Sequence, residues 1–364
     1  VTPEPVDYVF GEEMVFRARV ESERDLARVD LIVEAPGTPS FIGAAGFSSD
    51  GAVDFTYDLA QRPLPAFADI QYHYRLVFDS GETFTSSTYT FTYFDDRMDW
   101  RTLEDGAFTV HWYRGDLPFA REVLDAAFQA RTKVLDLIQQ PEDGREIDIF
   151  VYGEEEDLQA TLAMSGQDWV AGHADPELGA VVVSLPPGAD QSLEIQQRIP
   201  HELTHIILYR FMGAEYQYLP TWVNEGIASQ MEFFPRPAYD DALERAHARG
   251  ELIPLAQLCQ SLPTDEEQVL LAYAESNSVM AYIRQKYGVT GVQAMISAYD
   301  QGVGCSRGVE IALGTTLSGL EKEWKRAVFS QGTISSLWLM FMPWLVVLGI
   351  ITVPLLGILL VRFY

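Results

Sequence analysis

Residues 201–205, with the sequence HELTH, form the most chemically specific pattern in the chain. If this segment is helical, side chains four residues apart lie on one face, so His201 and His205 can bind one metal ion. Neutral imidazole is a ligand that suits zinc, and Glu202 lies beside it as a potential general base. A catalytic zinc site needs three protein ligands and one open position. The segment therefore predicts a zinc hydrolase with a third ligand elsewhere.

The predicted third ligand is Glu225, in the segment 222–228 with the sequence WVNEGIA. Pro220 and Thr221 are suited to the start of a helix, which would place Glu225 in its first turns. No histidine follows His205 at the short spacing of the metzincin pattern. The third ligand is therefore expected to be a carboxylate.

Together these segments resemble the gluzincin metallopeptidases, and more specifically the peptidase MA-like proteins of bacteria. The resemblance covers about residues 105–330 of the chain. Residues 171–174 and 179–183 resemble an edge strand that lines the cleft, and residues 219–228 resemble an "LPxWxxEGxA" segment. Residues 273–276 resemble the start of the helical lobe, and residues 312–314 with 320–324 resemble its end.

The resemblance implies an α+β peptidase domain with two lobes. In such a domain His201, His205 and Glu225 would hold Zn²⁺, and Glu202 would be the general base for cleavage of a peptide or protein substrate. Gluzincins usually add a Tyr or His donor from the helical lobe, and Tyr273 is the candidate here. An aromatic side chain in the core of that lobe is the alternative reading of Tyr273.

Two residues depart from the pattern of these families. Pro200 immediately precedes the first ligand, and a proline inside a helix removes one hydrogen bond. The ligand helix is therefore expected to start or kink at Pro200. Thermolysin-like enzymes carry an Asp four residues after the ligand glutamate, where this chain has Ser229. A carboxylate that orients a ligand histidine must then come from elsewhere, with Glu232 and Asp168 as candidates.

The composition excludes several classes of protein. A chain of 364 residues is expected to form two or three domains. It carries 53 acidic and 25 basic residues, for a formal charge of −28. Binding to phosphates needs clustered Lys and Arg, so we expect no nucleic-acid partner and no docking on anionic lipid through a basic patch. Long-range steering by the acidic surface could favour basic substrates.

The hydrophobic pattern divides the chain into three predicted parts. Residues 1–97 alternate with period two between turn signals, which predicts an all-β sandwich of the immunoglobulin or fibronectin-III type. Residues 98–330 begin with strands and helices, such as a helix over 118–139, and end in helices alone. This order predicts an α+β fold that carries the peptidase domain.

The third part is an apolar C-terminal segment. Residues 337–361 contain no charged side chain, and about 20 apolar residues suffice to span a bilayer. We predict a transmembrane helix over 335–364, in which residues 337–361 contact the lipid bilayer. A buried core helix is the alternative. The chain begins at Val1, which favours a removed signal peptide. The predicted localisation is a single-pass cell-membrane protein with extracytoplasmic N-terminal domains.

Cys259 and Cys305 are the only cysteines in the sequence. An exported protein meets an oxidising compartment, so we expect them to form a disulfide. Two buried free thiols are the alternative.

Three functions compete at this point. The favoured one is a membrane-anchored extracytoplasmic zinc peptidase, because the predicted ligands and the general base are all present. The second is a catalytically silent accessory or structural subunit with a partner in a membrane protein complex. The third is a zinc-dependent hydrolase of non-peptide substrates.

Overall fold

The computed structural model describes residues 1–141, 144–165, 172–175 and 178–329. The chain divides into two compact units, Val1–Phe211 with Met231–Phe234, and Met212–Gln230 with Pro235–Tyr364. Both β-sheets of the described chain belong to the first unit. The second unit is helical in its described part. The domain boundary predicted at residue 97 stays a prediction.

The first sheet contains nine strands within the described residues, all paired antiparallel. Its main path runs in the order β1-β3-β6-β5-β4-β7-β8, with β2 added on β3 and β9 on β7. The strands are β1 Thr2–Pro3, β2 Asp7–Val9, β3 Glu13–Arg19, β4 Leu26–Glu34, β5 Phe41–Phe47, β6 Ala52–Asp58, β7 Asp69–Phe78, β8 Thr83–Thr85 and β9 Tyr89–Thr92.

This sheet curls into a half-barrel because β5 pairs with two neighbours in succession. Its residues from Phe41 to Ala45 pair with β4, and Gly46 and Phe47 pair with β6. The all-β region predicted for residues 1–97 is therefore confirmed. The strands are linked through β5 into one sheet of nine strands, and the immunoglobulin-like or fibronectin-III-like type of this region stays a prediction.

Period-two alternation fills the inside of the half-barrel. In β7 every second side chain is buried, and the residues between them are half-buried or exposed. The same alternation in β3 adds Met14, Phe16 and Ala18 to one apolar core. In β3 and β7 the alternation in the sequence therefore predicts which face of the strand is buried.

The second sheet has five strands within the described residues, in the order β10-β11-β12-β14-β13. The central strands β11, β12 and β14 are parallel, and the two edge strands run antiparallel to them. These strands are β10 Arg101–Asp105, β11 Phe108–Trp112, β12 Ile147–Tyr152, β13 Gly172–Asp175 and β14 Ala180–Ser184. The helices of this unit are α1 Leu117–Ile138, α2 Glu155–Met164 and α3 Gln191–Met212.

Helix α1 confirms the helix predicted over 118–139. The Asp116 carboxylate accepts a hydrogen bond from the Phe119 N–H at 3.1 Å and caps the first turn. Apolar side chains from α1 and α3 pack against the sheet in one core. From α3 these are Ile195, Ile199, Leu203 and Ile206.

A buried polar cluster joins the half-barrel to the second sheet. Asp95, which follows the last strand of the half-barrel, is fully buried. Its carboxylate accepts hydrogen bonds from the Arg97 guanidinium at 2.7 and 2.8 Å, and from the Tyr152 and Thr161 hydroxyls at 2.8 Å each. Burial alone raises the pKa of Asp95, but these hydrogen bonds together outweigh burial and hold the pKa below its usual value.

An aromatic contact accompanies this cluster. The rings of Phe67 and Phe150 stack with centroids 3.7 Å apart. Phe67 adopts a left-handed backbone conformation with φ of 64°, which is unusual for a bulky residue. Its backbone is held there by a hydrogen bond from the Phe67 N–H to the Tyr93 carbonyl at 2.7 Å. The half-barrel thus contributes a side chain to the core of the second sheet.

The second unit is built from helices. They are α4 Thr221–Met231, α5 Pro237–Arg249, α6 Glu266–Tyr299, α7 Cys305–Leu313 and α8 Leu317–Phe329, with short 3₁₀ turns at Gly213–Tyr218 and Gln257–Cys259. Helix α6 is interrupted at Gly288, where φ is 72°. The helical region predicted up to residue 330 is confirmed as far as Phe329.

The predicted disulfide between Cys259 and Cys305 is confirmed, with Cα atoms 5.9 Å apart. It ties the 3₁₀ turn Gln257–Cys259 to the first residue of α7. The cross-link closes a loop of 46 residues that contains all of α6. Closing such a loop removes conformational entropy from the unfolded chain.

The predicted localisation as a single-pass membrane protein is corrected by the described helices. None of them is both long enough and apolar enough to cross a membrane. Helix α6, the longest, carries Arg284 and Lys286 within its sequence, and charged side chains are costly in a hydrocarbon layer. The predicted span 337–361, the predicted helix 335–364 and the bilayer contact placed on them lie outside the described residues.

The second unit also buries a carboxyl group. Glu275 on α6 is fully buried, and its Oε1 accepts a hydrogen bond from the Ile253 N–H at 2.7 Å. Its Oε2 has no hydrogen-bond partner among the described residues. Burial raises the pKa of Glu275 to about 8, and the nearby Glu321 carboxylate adds to this effect while Lys325 opposes it.

Replacing Asp95 by Asn should destabilise the first unit by about 3 kcal/mol, the scale for removing one partner of a buried ion pair. Because folding lowers the pKa of Asp95, its stabilisation is present above the ordinary pKa of 3.8 and is lost as the pH falls below it. Urea unfolding of wild type, Asp95→Asn and the exposed control Asp99→Asn measures both effects. Equal stabilities of the two variants would contradict the role of Asp95.

Glu275 should have the opposite pH dependence. Because folding raises its pKa, its stabilisation is complete below 4.5 and falls as the pH rises to about 8, by at most about 1.4 kcal/mol per pH unit. Glu275→Gln removes this titration and should flatten the dependence of the unfolding free energy on pH. Glu267→Gln, an exposed change on the same helix, should leave the slope as in wild type. An unchanged slope in Glu275→Gln would refute the assignment.

Candidate metal centre

Helix α3 presents its two histidines on a face other than the one that packs into the apolar core. Because Ile195, Ile199 and Ile206 pack into the sheet core, His201 and His205 lie together on another face of the helix. Their ring centroids are 5.1 Å apart. Both side chains and that of Glu202 are buried, with residue exposures of 7–9%. The sequence prediction that HELTH is helical is confirmed.

Pro200 lies inside this helix, which begins at Gln191 and therefore does not start at the proline. Proline has no N–H, so it cannot bond the carbonyl of Gln196 four residues earlier. That carbonyl instead accepts a hydrogen bond from the Phe233 N–H at 3.0 Å. The proline thus leaves open a backbone acceptor that a distant segment of the chain uses.

The segment Met231–Phe234 is fixed to this unit by several such contacts. The Lys133 ammonium donates to the Met231 and Glu232 carbonyls at 3.0 and 3.2 Å. The Gln197 side chain donates to the Phe234 carbonyl at 3.4 Å. Together with the bond to the Gln196 carbonyl, these contacts set the position from which the Glu232 side chain extends.

Glu232 contacts the first histidine of the motif. Its Oε1 lies 3.1 Å from His201 Nδ1, and its side chain is only 3% exposed. A carboxylate at Nδ1 keeps the proton on that nitrogen and leaves Nε2 as the atom that can bind a metal. Glu232 was one of the two candidates for this orienting role in the sequence, and the structure places it in contact with His201. The other candidate, Asp168, lies outside the described residues.

Glu225 lies on α4, in the helix predicted to start at Thr221. The neighbouring Asn224 side chain donates to the Tyr216 hydroxyl at 2.9 Å. Gly226 is required by close packing, because a Cβ atom there would lie 2.6 Å from the Ser276 carbonyl oxygen. The glycine of the NEG segment therefore allows α4 to approach α6, and this approach sets the position of the adjacent Glu225.

The predicted ligands converge. One ligand atom from each of His201, His205 and Glu225 lies within 4.8 Å of the other two. All three residues are less than a tenth exposed. Two imidazoles and one carboxylate are a donor set that fits Zn²⁺, and a buried carboxylate needs a compensating positive charge. The residues present therefore fit a zinc ion.

The remaining predicted residues are placed as follows. Glu202 shares α3 with the two histidines, and Ser229 is buried on α4. Tyr273 is half-buried on α6, and its predicted role stays a prediction. Glu232 lies two helical turns after Glu225, so one continuous helix would place both side chains on the same face. Helix α4 ends at Met231, however, and does not continue to Glu232.

A buried cluster of two imidazoles and a carboxylate, with a glutamate next to the first histidine, is typical of metal-dependent hydrolases. A family model described as the Peptidase MA superfamily matches residues 127–330. Because this match covers more than half of the chain, the protein belongs to the Peptidase MA superfamily. A comparison with curated protein sequences finds no match.

Comparisons with solved structures give weak similarities. A yeast LTA4 hydrolase in complex with bestatin is 11% identical with a TM-score of 0.41, over 88% of this chain and 62% of that chain. An aminopeptidase N family protein from Idiomarina loihiensis is 8% identical with a TM-score of 0.41, over 88% and 72%. A β-1,3-glucan-binding domain of carbohydrate-binding module family 56 is 16% identical with a TM-score of 0.18, over 25% and 95%. The chain thus spans less than two thirds of the length of the yeast hydrolase.

Replacing Glu232 by Gln should weaken zinc binding about 10- to 100-fold, because the orienting carboxylate at His201 is lost while the side chain keeps its size. Competition with a chromophoric zinc chelator measures the affinity. Glu244→Gln, an exposed change on α5, is the matched control and should bind zinc as wild type does. If Glu232→Gln and the control had the same affinity, Glu232 would not support the metal centre.

Proposed function

We propose that this protein is a zinc-dependent peptidase in which His201, His205 and Glu225 hold the metal ion. The observation that carries this proposal is the convergence of their ligand atoms within 4.8 Å. Membership of the Peptidase MA superfamily supports peptide bonds as the substrate. A bound zinc ion would supply a Lewis acid for the peptide carbonyl and lower the pKa of a water molecule.

Glu202 is the proposed general base. It follows the first ligand directly and is held at 9% exposure in the same helix. Its carboxylate would take a proton from the water that attacks the peptide carbonyl carbon, and would pass that proton to the leaving amine. Burial limits the access of bulk water to this carboxylate, so the proton is kept for transfer within the site.

Tyr273 is the proposed donor of a hydrogen bond to the oxygen that becomes negative during the attack. The proposal rests on the resemblance of residues 273–276 to the start of the helical lobe in gluzincins. A phenol hydroxyl is suited to this role because it donates a hydrogen bond without carrying a charge of its own.

A catalytically silent accessory role, the alternative from the sequence, is not favoured by the arrangement of the site. Such a protein would need neither the general base nor the Glu232 carboxylate that orients His201. Both residues are present and buried in this chain.

Glu202→Gln should lower hydrolysis of a mixed peptide library by about 10²- to 10⁴-fold, because it removes the proton acceptor and preserves the shape of the side chain. Zinc content measured by elemental analysis should stay at one ion per chain in both proteins. Glu267→Gln, an exposed change on α6, is the control and should cleave as wild type does. A zinc-loaded wild type that cleaves nothing beyond the Glu202→Gln background would refute the peptidase proposal.

A further inference from the structure

A cavity of about 880 Å³ lies in the second unit, beside the segment 250–265 that connects α5 to α6. Its volume is within the range of about 300–1,000 Å³ that is usual for ligand pockets. Its walls are α5, the first turns of α6 and the connecting segment itself. Long connections with little regular structure are uncommon and usually have a function. The described residues that line this cavity include no residue of the candidate metal centre, so it is a separate candidate site.

The connecting segment is held at three points, so its wall of the cavity is formed in advance. The Ile253 N–H donates to the buried Glu275 carboxylate at 2.7 Å, and the Leu255 N–H donates to the Glu321 carboxylate at 3.3 Å. The disulfide ties the 3₁₀ turn of this segment to α7. A wall that is already fixed lowers the cost of ordering the site when a ligand binds.

The surface of the cavity combines apolar and uncharged polar side chains. Its half-buried apolar residues include Leu252, Ile253, Leu262, Pro263 and Leu270. Its exposed amide and hydroxyl side chains are those of Gln257, Ser261, Thr264 and Gln268. Within the described part of the chain, these four side chains have no hydrogen-bond partner. A peptide would use both kinds of surface, whereas a hydrocarbon chain would leave the polar groups without partners.

Two arginines line the α5 wall of the cavity. Arg245 and Arg249 are four residues apart on α5 and therefore lie on one face of the helix. Arg245 is exposed and has no hydrogen bond or ion pair with any described residue. Arg249 Nη1 lies 3.7 Å from Glu251 Oε2, which is longer than a normal hydrogen bond. Both guanidinium groups therefore keep N–H donors that can bind a carboxylate.

The acidic side chains of the α6 wall favour a carboxylate at the α5 side. The Asp265 carboxylate accepts a hydrogen bond from the Gln268 N–H at 3.1 Å and caps the first turn of α6. Glu267 is exposed in the same turn and also lines the cavity. Because like charges repel, an anionic group of a ligand is disfavoured near α6 and favoured near the arginines of α5.

We propose that this cavity binds a short apolar peptide by its free C-terminal carboxylate, which Arg245 and Arg249 hold at the α5 wall. The half-buried apolar side chains contact the side chains of the peptide, and the amide and hydroxyl groups of the lining bond its backbone. This inference concerns binding alone and does not depend on the proposed peptidase function.

The test measures peptide binding to the full chain by fluorescence anisotropy, in the Glu202→Gln background so that the probe stays intact. The probe is Gly-Leu-Leu-Leu labelled with fluorescein at its N-terminus, as the free C-terminal acid and as the C-terminal amide. We expect the acid to bind about 10- to 100-fold more tightly than the amide, the range for hydrogen bonds to a charged group. Unlabelled decanoate should compete at least about tenfold more weakly than the unlabelled acid peptide, because it has no backbone amides.

Arg245→Met should bring the ratio of acid to amide affinity close to one, and Arg245→Lys should keep part of the preference. Arg307→Met is the matched control, since Arg307 is an exposed arginine paired with Glu310 at a spacing of three residues on α7. It should leave the ratio unchanged.

Hydrogen exchange keeps the test decisive even if Arg245→Met folds poorly. The acid peptide should slow exchange of the backbone amides of 251–264, and the amide peptide at the same concentration should not. Equal affinities for acid and amide, no saturable binding of the acid, or an unchanged ratio in Arg245→Met would overturn the inference. Protection confined to α3 and α4 would overturn it too, and decanoate that competes as well as the peptide would assign the cavity to a fatty acid instead. Failure of peptide hydrolysis in the wild type bears on the peptidase proposal alone.

Discussion

The buried Glu225 carboxylate beside two imidazoles is the constraint on which the rest of the account depends. A carboxylate at 9% exposure loses most of its hydration, which is costly for a charged group. A divalent cation bound to all three groups satisfies the charge and the ligand atoms at once. The fold keeps these ligand atoms within 4.8 Å of one another, as the proposed metal centre requires.

The supporting structure around His201 follows from one backbone defect. Pro200 deprives the Gln196 carbonyl of its helical partner, and the Phe233 N–H takes that place. The same short segment carries Glu232, whose carboxylate contacts His201 Nδ1. A residue that weakens the helix on its own thereby helps to position the carboxylate that contacts His201, a ligand of the proposed metal centre. Pro200 removes a hydrogen bond within its own helix, and the bond that replaces it comes from a segment about thirty residues further along the chain.

The sequence predicted the parts of the site that depend on local spacing. The HELTH histidines share a helix face because residues four apart always do, and the NEG segment places Glu225 in a helix whose start was visible at Pro220. The sequence leaves Glu232 as one of two candidates, because its position depends on hydrogen bonds from Lys133 and to the Gln196 carbonyl that no local pattern encodes.

The fold shows the same division between local and long-range information. Period-two alternation identified the buried face of β7, but it carries no information on which strand pairs with which. The half-barrel arises because β5 changes partner from β4 to β6, a feature of pairing that the pattern could not show. The pairing of Cys259 with Cys305 was predicted because the sequence contains no other cysteine.

The most direct test of the central claim is a crystal structure of the protein purified without chelators, with anomalous diffraction recorded above and below the zinc absorption edge. The account predicts one zinc peak, about 2.0–2.2 Å from His201 Nε2, a nitrogen of His205 and a carboxylate oxygen of Glu225. Glu232 would still contact His201 Nδ1. A zinc peak on other residues, or no peak at these three after incubation with zinc, would contradict it.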